Sequence, residues 1–258
     1  MTRKLVYIFI IVLLTGGSFS SQGSTVMDGG TDTKSIKALK LILSSNQNTE
    51  YSIVEFTELL ESIKEKKDKF STEQQYLQFV YKYVHRKRLK RYKTYVTLGE
   101  TLSRSGYYDC LTGTLLYSLI LEELGFQVTI REFNYHVMLI VNLDDKKILI
   151  ESTDPLNGFV VGDEAVNQRI AEYKADDLKK KRQSVYGFTK LIDNEITTGQ
   201  LVGLHFYNQA INSLNQLDVK AAKVAITKAE SLYPSQRVHE IKKFISGTEV
   251  QSLIASID

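Results

Sequence analysis

Residues 109–125 read DCLTGTLLYSLILEELG, and their apolar pattern predicts the central helix of the fold. Its apolar residues recur every three or four positions and are Leu111, Leu115, Leu116, Leu119, Ile120 and Leu124. This spacing predicts a buried α-helix that begins at Cys110. Gly125 supplies the usual stop, since glycine takes the left-handed conformation at a helix end without strain. We expect this helix to be central to the fold.

Three segments rich in β-branched residues follow the predicted helix, at 127–133, 136–143 and 147–153. Segments of this length and composition are typical of strands. The polar turn Asp144-Asp145-Lys146 between the last two predicts a hairpin. A helix followed by an antiparallel sheet predicts an α+β fold.

Helical patterns flank this core on both sides. An apolar stripe precedes it, formed by Tyr76, Phe79, Val80, Tyr83 and Val84. After it, the Ala-rich stretch 201–234 has the small residues, turn and closing proline of one tetratricopeptide-like repeat. One such helix pair cannot bury its apolar face alone, so it should pack on the core or on a partner. We predict a core domain with its N-terminal helices over 34–195 and a helical tail over 200–258.

The first residues have the pattern of an export signal. Arg3 and Lys4 precede a run of ten apolar residues, Leu5–Leu14, and small or polar residues follow. A transmembrane helix needs about 20 apolar residues, so this run predicts a cleaved signal peptide over 1–20, followed by a linker over 21–33. An uncleaved membrane anchor is the alternative. We therefore predict an exported protein, periplasmic or extracellular.

Charge and composition exclude some partners. Loss of the signal peptide lowers the formal net charge from +3 to +1, which gives no general attraction for nucleic acid. The run Lys82–Lys93 holds seven basic and no acidic residues. It predicts a solvated helix face, with weak contact to anionic glycans or lipid headgroups as the alternative. His85, His205 and His239 lack the spacing of metal ligands, and no cofactor is predicted.

Cys110 is the only cysteine of the chain, so it cannot form an internal disulfide. The start of a helix stabilises a thiolate, because unpaired N–H groups and the helix dipole are positive there. His136 opens an apolar segment downstream, and Asp154 follows the next one. A thiol, an imidazole and a carboxylate in this order are the parts of an activated nucleophile.

The hairpin predicts where the imidazole and the carboxylate lie. If its turn is centred on Asp145, His136 lies directly opposite Asp154, close enough for a hydrogen bond. A slip of one residue would place the two side chains on opposite faces of the sheet.

These residues resemble the transglutaminase-like branch of the papain-like superfamily. The resemblance covers roughly Leu98 to Asn157 and rests on Asp-Cys before an apolar helix, His before a strand, and Asp-Pro after the next strand. It implies a papain-like core in which the nucleophile helix packs on an antiparallel sheet. It also implies that Cys110 is the nucleophile, His136 the base and later acid, and Asp154 the residue that orients His136.

The function implied by the resemblance is thiol-dependent hydrolysis of an amide or peptide bond in a peptide or protein substrate. Two alternatives stay open: an amine-accepting acyltransferase, and a non-catalytic module whose C-terminal helices bind a protein partner. The chain lacks tryptophan, and Arg104 occupies the position of a papain-like glutamine. The oxyanion must therefore be bound by backbone N–H groups such as that of Cys110, with the hydroxyl of Tyr107 or Tyr108 as a further donor.

Overall fold

The chain combines helices with an antiparallel sheet, which confirms the α+β class. A computed structural model describes residues 32–44, 49–183 and 191–247. The helices are α1 (Lys34–Leu43), α2 (Thr49–Lys64), α3 (Glu73–Arg88), α4 (Leu98–Leu102), α5 (Cys110–Glu123), α6 (Asp163–Gln183), α7 (Thr198–Asn215), α8 (Val219–Leu232) and α9 (Gln236–Ser246), with a 3-10 turn at Lys67–Lys69. The strands are β1 (Arg91–Tyr92), β2 (Tyr107–Tyr108), β3 (Val128–Phe133), β4 (Val137–Leu143), β5 (Lys146–Ile150), β6 (Phe159–Val161) and β7 (Asp193–Ile196).

The predicted signal peptide, residues 1–20, lies outside the described residues, as do residues 21–31 of the predicted linker and 248–258 of the predicted tail. Within the described part of the chain, no helix is long and apolar enough to cross a membrane.

The main sheet has the strand order β6-β5-β4-β3-β7, and every neighbouring pair is antiparallel. Strands β1 and β2 form a separate parallel pair. The connection from β4 to β5 is tighter than predicted, because Leu143 pairs with Lys146 and leaves only Asp144 and Asp145 in the turn. Asp144 has a φ of 50°, a conformation that aspartate tolerates and tight hairpins use. The register thus differs by one residue from the prediction, and the predicted cross-strand pairing of site residues is wrong.

Helix α5 lies at the centre of the fold, between the sheet and the helices α1, α4 and α7. Every residue from Leu111 to Leu121 is buried. An all-round apolar helix suits only such a position. Full burial of one leucine side chain contributes about 1.5–3 kcal/mol, so this helix is a main source of stability.

Both faces of the sheet are covered. Leu139 and Val141 of β4 belong to the large core around α5, whereas Met138 and Ile140 pack with Val166 of α6 on the opposite face. Successive side chains of a strand point to opposite faces, so a strand buried on both sides is apolar at nearly every position. The sheet therefore separates α5 from α6.

The C-terminal helices pack on the core. Helix α7 contacts α5, α8 packs on α7, and α9 packs on α8. A Cβ atom at Gly203 of α7 would lie 2.7 Å from Cβ of Tyr233, so a glycine allows the close approach of the chain after α8. Their buried apolar residues join the same core as α5 and include Leu201, Leu204, Ala210, Ala222, Ile226 and Ala229. The apolar face of α7 and α8 is thus covered within the chain itself.

Candidate active site

Cys110 is the first residue of α5, and its side chain is partly buried. Asp109 caps the helix: its Oδ1 accepts hydrogen bonds from the Thr112 amide at 2.8 Å and from the Thr112 hydroxyl at 2.9 Å. The Thr112 hydroxyl accepts in turn from the Asp109 amide at 3.1 Å, which completes a capping box. Burial raises the pKa of Asp109, although these hydrogen bonds oppose the shift. The carboxyl group of Asp109, next to Cys110 in sequence, therefore caps helix α5.

The start of α5 packs tightly against the chain that follows β5. The Ser152 hydroxyl donates to the carbonyl of Cys110 at 3.2 Å. A Cβ atom at Gly113 would lie 2.7 Å from both Cβ and Oγ of Ser152. Glycine is needed here for close approach, and that approach places the thiol beside the end of the sheet.

His136 directly follows the two-residue turn Asn134-Tyr135 between β3 and β4. The turn is closed by a hydrogen bond from the Phe133 amide to the His136 carbonyl, 2.8 Å long. The side chain of His136 is only 12% exposed, and its Nε2 forms a hydrogen bond with Oε2 of Glu151. The hairpin thus fixes the imidazole at the edge of the core.

The environment of His136 favours its protonated form. Burial by itself disfavours the charge, but the neighbouring side chains of Cys110 and Glu151 raise the pKa of His136 to about 10. The imidazole therefore joins the cysteine to a carboxylate. A protonated imidazole also stabilises negative charge on the neighbouring sulfur.

Glu151 follows β5 and is completely buried. Its Oε1 accepts from the Thr153 amide at 2.9 Å and from the Thr153 hydroxyl at 2.7 Å, and its Oε2 faces His136. Burial opposes ionisation, but the hydrogen bonds and charge of His136 and the hydrogen bonds of Thr153 lower the pKa of Glu151. A buried carboxylate with this many donors stays charged and holds one orientation.

Asp154 does not contact His136, and its predicted place beside the imidazole is wrong. Its Oδ1 accepts from the Asn157 amide at 2.9 Å, and its Oδ2 lies 3.5 Å from Arg169 of α6. The backbone carbonyl of Asp154 accepts from the Tyr81 hydroxyl. Asp154 thus shapes the turn before β6, and the carboxylate at His136 belongs to Glu151.

The observed register explains this exchange. In the β4–β5 pairing, continuation past Val137 places His136 opposite Thr153, so Glu151 is its diagonal neighbour on the same face. Diagonal neighbours lie within reach of a long side chain such as glutamate. Glu151 opens the Glu-Ser-Thr-Asp-Pro segment. A predicted hairpin with only Asp144 and Asp145 in its turn would have placed Glu151, and not Asp154, on the same face as His136 and within its reach.

Tyr173 of α6 was also missed from the sequence. Its ring stacks on the imidazole of His136, with centroids 4.4 Å apart and planes 4° apart. Burial and the charge of Glu151 raise the pKa of Tyr173. The polar, weakly patterned sequence of α6 carries no signal that would single out this tyrosine.

Tyr107 and Tyr108, the predicted oxyanion donors, form strand β2, which ends two residues before Cys110. Tyr108 is buried, and Tyr107 lies next to Lys93, whose Nζ is 5.2 Å from the ring centroid. A third tyrosine, Tyr92 of β1, pairs with Tyr108 and meets its ring edge-on at 6.1 Å. Burial, followed by the charge of Cys110, raises the pKa of Tyr92. Tyr92 is 59% exposed, so it is open to an incoming ligand.

Within the described ranges, no three His, Cys, Asp or Glu side chains are grouped to hold a metal ion. The arrangement of Cys110, His136 and Glu151 can perform nucleophilic chemistry without one. No family model, curated protein or solved structure matches the chain.

Proposed function

We propose that the chain is an exported, thiol-dependent hydrolase of the transglutaminase-like type, with a papain-like core, that cleaves an amide or peptide bond in a peptide or protein substrate. One observation carries the proposal: the imidazole of His136 is hydrogen-bonded to the buried carboxylate of Glu151 and has Cys110 beside it, so that both groups raise its pKa. In this assignment Cys110, His136 and Glu151 form the catalytic triad.

The first half of the reaction forms a thioester. The sulfur of Cys110 attacks the substrate carbonyl carbon, and the carbonyl electrons move onto oxygen. When the tetrahedral intermediate collapses, the C–N bond breaks and His136 donates its proton to the leaving nitrogen. An amine leaves and the acyl group stays on sulfur. Glu151 fixes the ring orientation and stabilises the imidazolium, which is its whole part in the chemistry.

The second half releases the acyl group. Neutral His136 takes a proton from water, the resulting hydroxide attacks the thioester, and the C–S bond breaks to give a carboxylic acid and Cys110 with its original charge. An amine in place of water would give acyl transfer by the same steps. A labelled primary amine in the reaction separates the two outcomes by the product it forms.

The developing oxyanion needs donors near the sulfur. The start of α5 supplies backbone N–H groups, among them that of Cys110, and the dipole of the helix adds positive potential. The Tyr92 hydroxyl is the side-chain donor that we assign beside them, because Tyr92 pairs with Tyr108, two residues before Cys110, and is exposed to a ligand.

Alkylation of Cys110 by iodoacetamide tests the proposal without knowledge of the substrate. Cys110 is the only cysteine, so any thiol modification reports on this site. We expect His136→Gln to slow alkylation at neutral pH, because the stabilising imidazolium is lost. His239→Gln is the matched control, since His239 lies on α9 with a side chain 56% exposed. Equal rates for wild type and His136→Gln would contradict the proposal.

A further inference from the structure

We infer that Arg237 of the C-terminal helix α9 is a positioning residue for His136, which it holds in place through the β3–β4 turn. The inference rests on the proposed function. In this role the C-terminal helices help to orient the imidazole of His136, and they also pack on the core.

The guanidinium of Arg237 bridges two parts of the β3–β4 hairpin. Its Nη1 lies 3.4 Å from a carboxylate oxygen of Glu132, the penultimate residue of β3. Its Nη2 donates to the carbonyl of Asn134 at 3.1 Å and to that of Phe133 at 3.5 Å. These carbonyls lie in the turn that directly precedes His136 and at the end of β3. One rigid side chain therefore holds both the end of the strand and the turn.

The anchor is buried. Glu132 is fully buried, and the side chain of Arg237 is 7% exposed. Glu132 also accepts hydrogen bonds from the hydroxyl of Tyr233, in the chain between α8 and α9, and from Asn194 of β7 at 3.2 Å. Burial and the hydrogen bond and charge of Glu132 raise the pKa of Tyr233 to about 12, so its hydroxyl stays a donor. A network with this many charge-assisted bonds restricts the positions of its members.

Other contacts restrict the same turn from other directions. The Asn134 amide donates to Asp177 of α6 at 2.6 Å, and the side-chain oxygen of Asn134 accepts from the Ile192 amide at 2.8 Å. Among these contacts with the turn, those of Arg237 come from the C-terminal helices. The turn is thus held from α6, from the chain before β7 and from α9, and His136 is the residue that directly follows it.

The chemistry explains why such a link matters. The proton transfers of the proposed reaction require the imidazole to stay in hydrogen-bond range of both Cys110 and Glu151. A displacement of about 1 Å costs on the order of a hundredfold in rate. The anchored turn leaves little freedom for such a displacement.

The test uses the full chain with the double substitution Glu132→Gln/Arg237→Met. It removes the bridge without leaving an unpaired buried charge, which would itself unfold the core. Arg237→Lys is the second variant: it keeps the positive charge, but its single ammonium group cannot reproduce the fork between Glu132 and Asn134. Ile226→Ala on α8 is the matched control, since it loosens the C-terminal helices at a buried residue outside this network.

Two readouts are compared on folded protein, namely the rate of Cys110 alkylation by iodoacetamide and the imidazole NMR signals of His136. We expect both bridge variants to be alkylated several-fold more slowly than wild type and to show shifted His136 signals, while Ile226→Ala matches wild type in both.

Two results would overturn the inference alone. One is a bridge variant with the wild-type rate and unshifted signals, while His136→Gln is slow. The other is an equal loss in Ile226→Ala, which would show that general loosening is responsible. If His136→Gln itself alkylates at the wild-type rate, the proposed function fails and the positioning role fails with it, so the two failures are distinguishable.

Discussion

Tyr173 lies flat on the imidazole of His136, with 4.4 Å between the ring centroids. The two residues are distant in sequence: His136 directly precedes β4, and Tyr173 is in the middle of α6. The aromatic face covers the ring whose Nε2 is hydrogen-bonded to Glu151. This contact ties the position of α6 to the candidate chemistry.

Loss of this aromatic face should weaken the site without removing any reacting group. An aromatic pair contributes about 0.5–1.5 kcal/mol beyond its buried area. We expect Tyr173→Leu to slow Cys110 alkylation by up to about tenfold, which is the rate equivalent of that energy. Tyr173→Phe keeps the stacked ring and serves as the control with a rate near that of wild type. A Tyr173→Leu protein as reactive as Tyr173→Phe would show that stacking has no part in it.

Replacement of the carboxylate by an isosteric amide should reduce the hydrolysis rate at Glu151 but not at Asp154. Glu151→Gln should fold, because glutamine keeps the shape, yet it cannot stabilise the imidazolium. A comparable carboxylate-to-amide change costs about 10⁴ in rate in a serine protease, and we expect a severe loss here too. Asp154→Asn should stay close to wild type, since its carboxylate faces Arg169 and the Asn157 amide. Hydrolysis rates of the two variants, measured together, show which carboxylate supports His136. Equal losses of rate would contradict the assignment of Glu151.

Much of the fold follows from local sequence pattern. The helix predicted from Cys110 to Gly125 occurs as Cys110–Glu123, and Gly125 has the expected positive φ of 87°. The three predicted strands occur as β3, β4 and β5 with small differences at their ends. These elements are predictable because a regular spacing of apolar residues indicates a buried face, and these residues are in fact buried in the core.

The carboxylate of the site was harder to predict. Whether Glu151 or Asp154 reaches His136 depends on one residue of register, and the two-residue turn of Asp144 and Asp145 goes with the observed register. Through tertiary packing, Tyr173 of α6 reaches the imidazole and Arg237 of α9 reaches the turn before it, and their own segments carry no pattern that indicates these contacts. Side-chain partners that are distant in sequence are fixed by the fold and are invisible to local periodicity.

Gly113 should be needed for the position of the thiol. A methyl group there would lie 2.7 Å from the side chain of Ser152, and overpacking of this kind costs about 1–3 kcal/mol. We expect Gly113→Ala to lower the melting temperature and to slow alkylation of Cys110. Gly199→Ala is the matched control, because its methyl group would meet nothing closer than 3.8 Å in the first turn of α7. Similar melting of the two variants would contradict the close approach.

The raised pKa of His136 predicts a pH-dependent contribution to stability. The pKa is about 10 in the folded chain against an ordinary value of 6.5. Stabilisation from a raised pKa is fully present below the unfolded value and is lost as pH rises through the folded one. The groups that face the ring are Cys110, Glu151 and Tyr173.

We therefore expect the free energy of unfolding of wild type, relative to that of His136→Gln, to be largest near about pH 6 and to fall as the pH approaches about 10. Urea titrations at several pH values measure this difference. A difference that stays constant across the range would show that His136 gains no stabilising partners on folding.

Cys110 should form a thioester that water then resolves, and p-nitrophenyl acetate is an ester that reports both steps. Mixed with the full chain, this ester should give a burst of one nitrophenolate per protein, an acetyl group on Cys110 by mass spectrometry, and then slower steady release. The burst should be absent in Cys110→Ala and strongly slowed in His136→Gln, with both proteins folded. Nitrophenolate release by Cys110→Ala at the wild-type rate, or a wild-type protein that never carries acetyl on Cys110, would contradict the account.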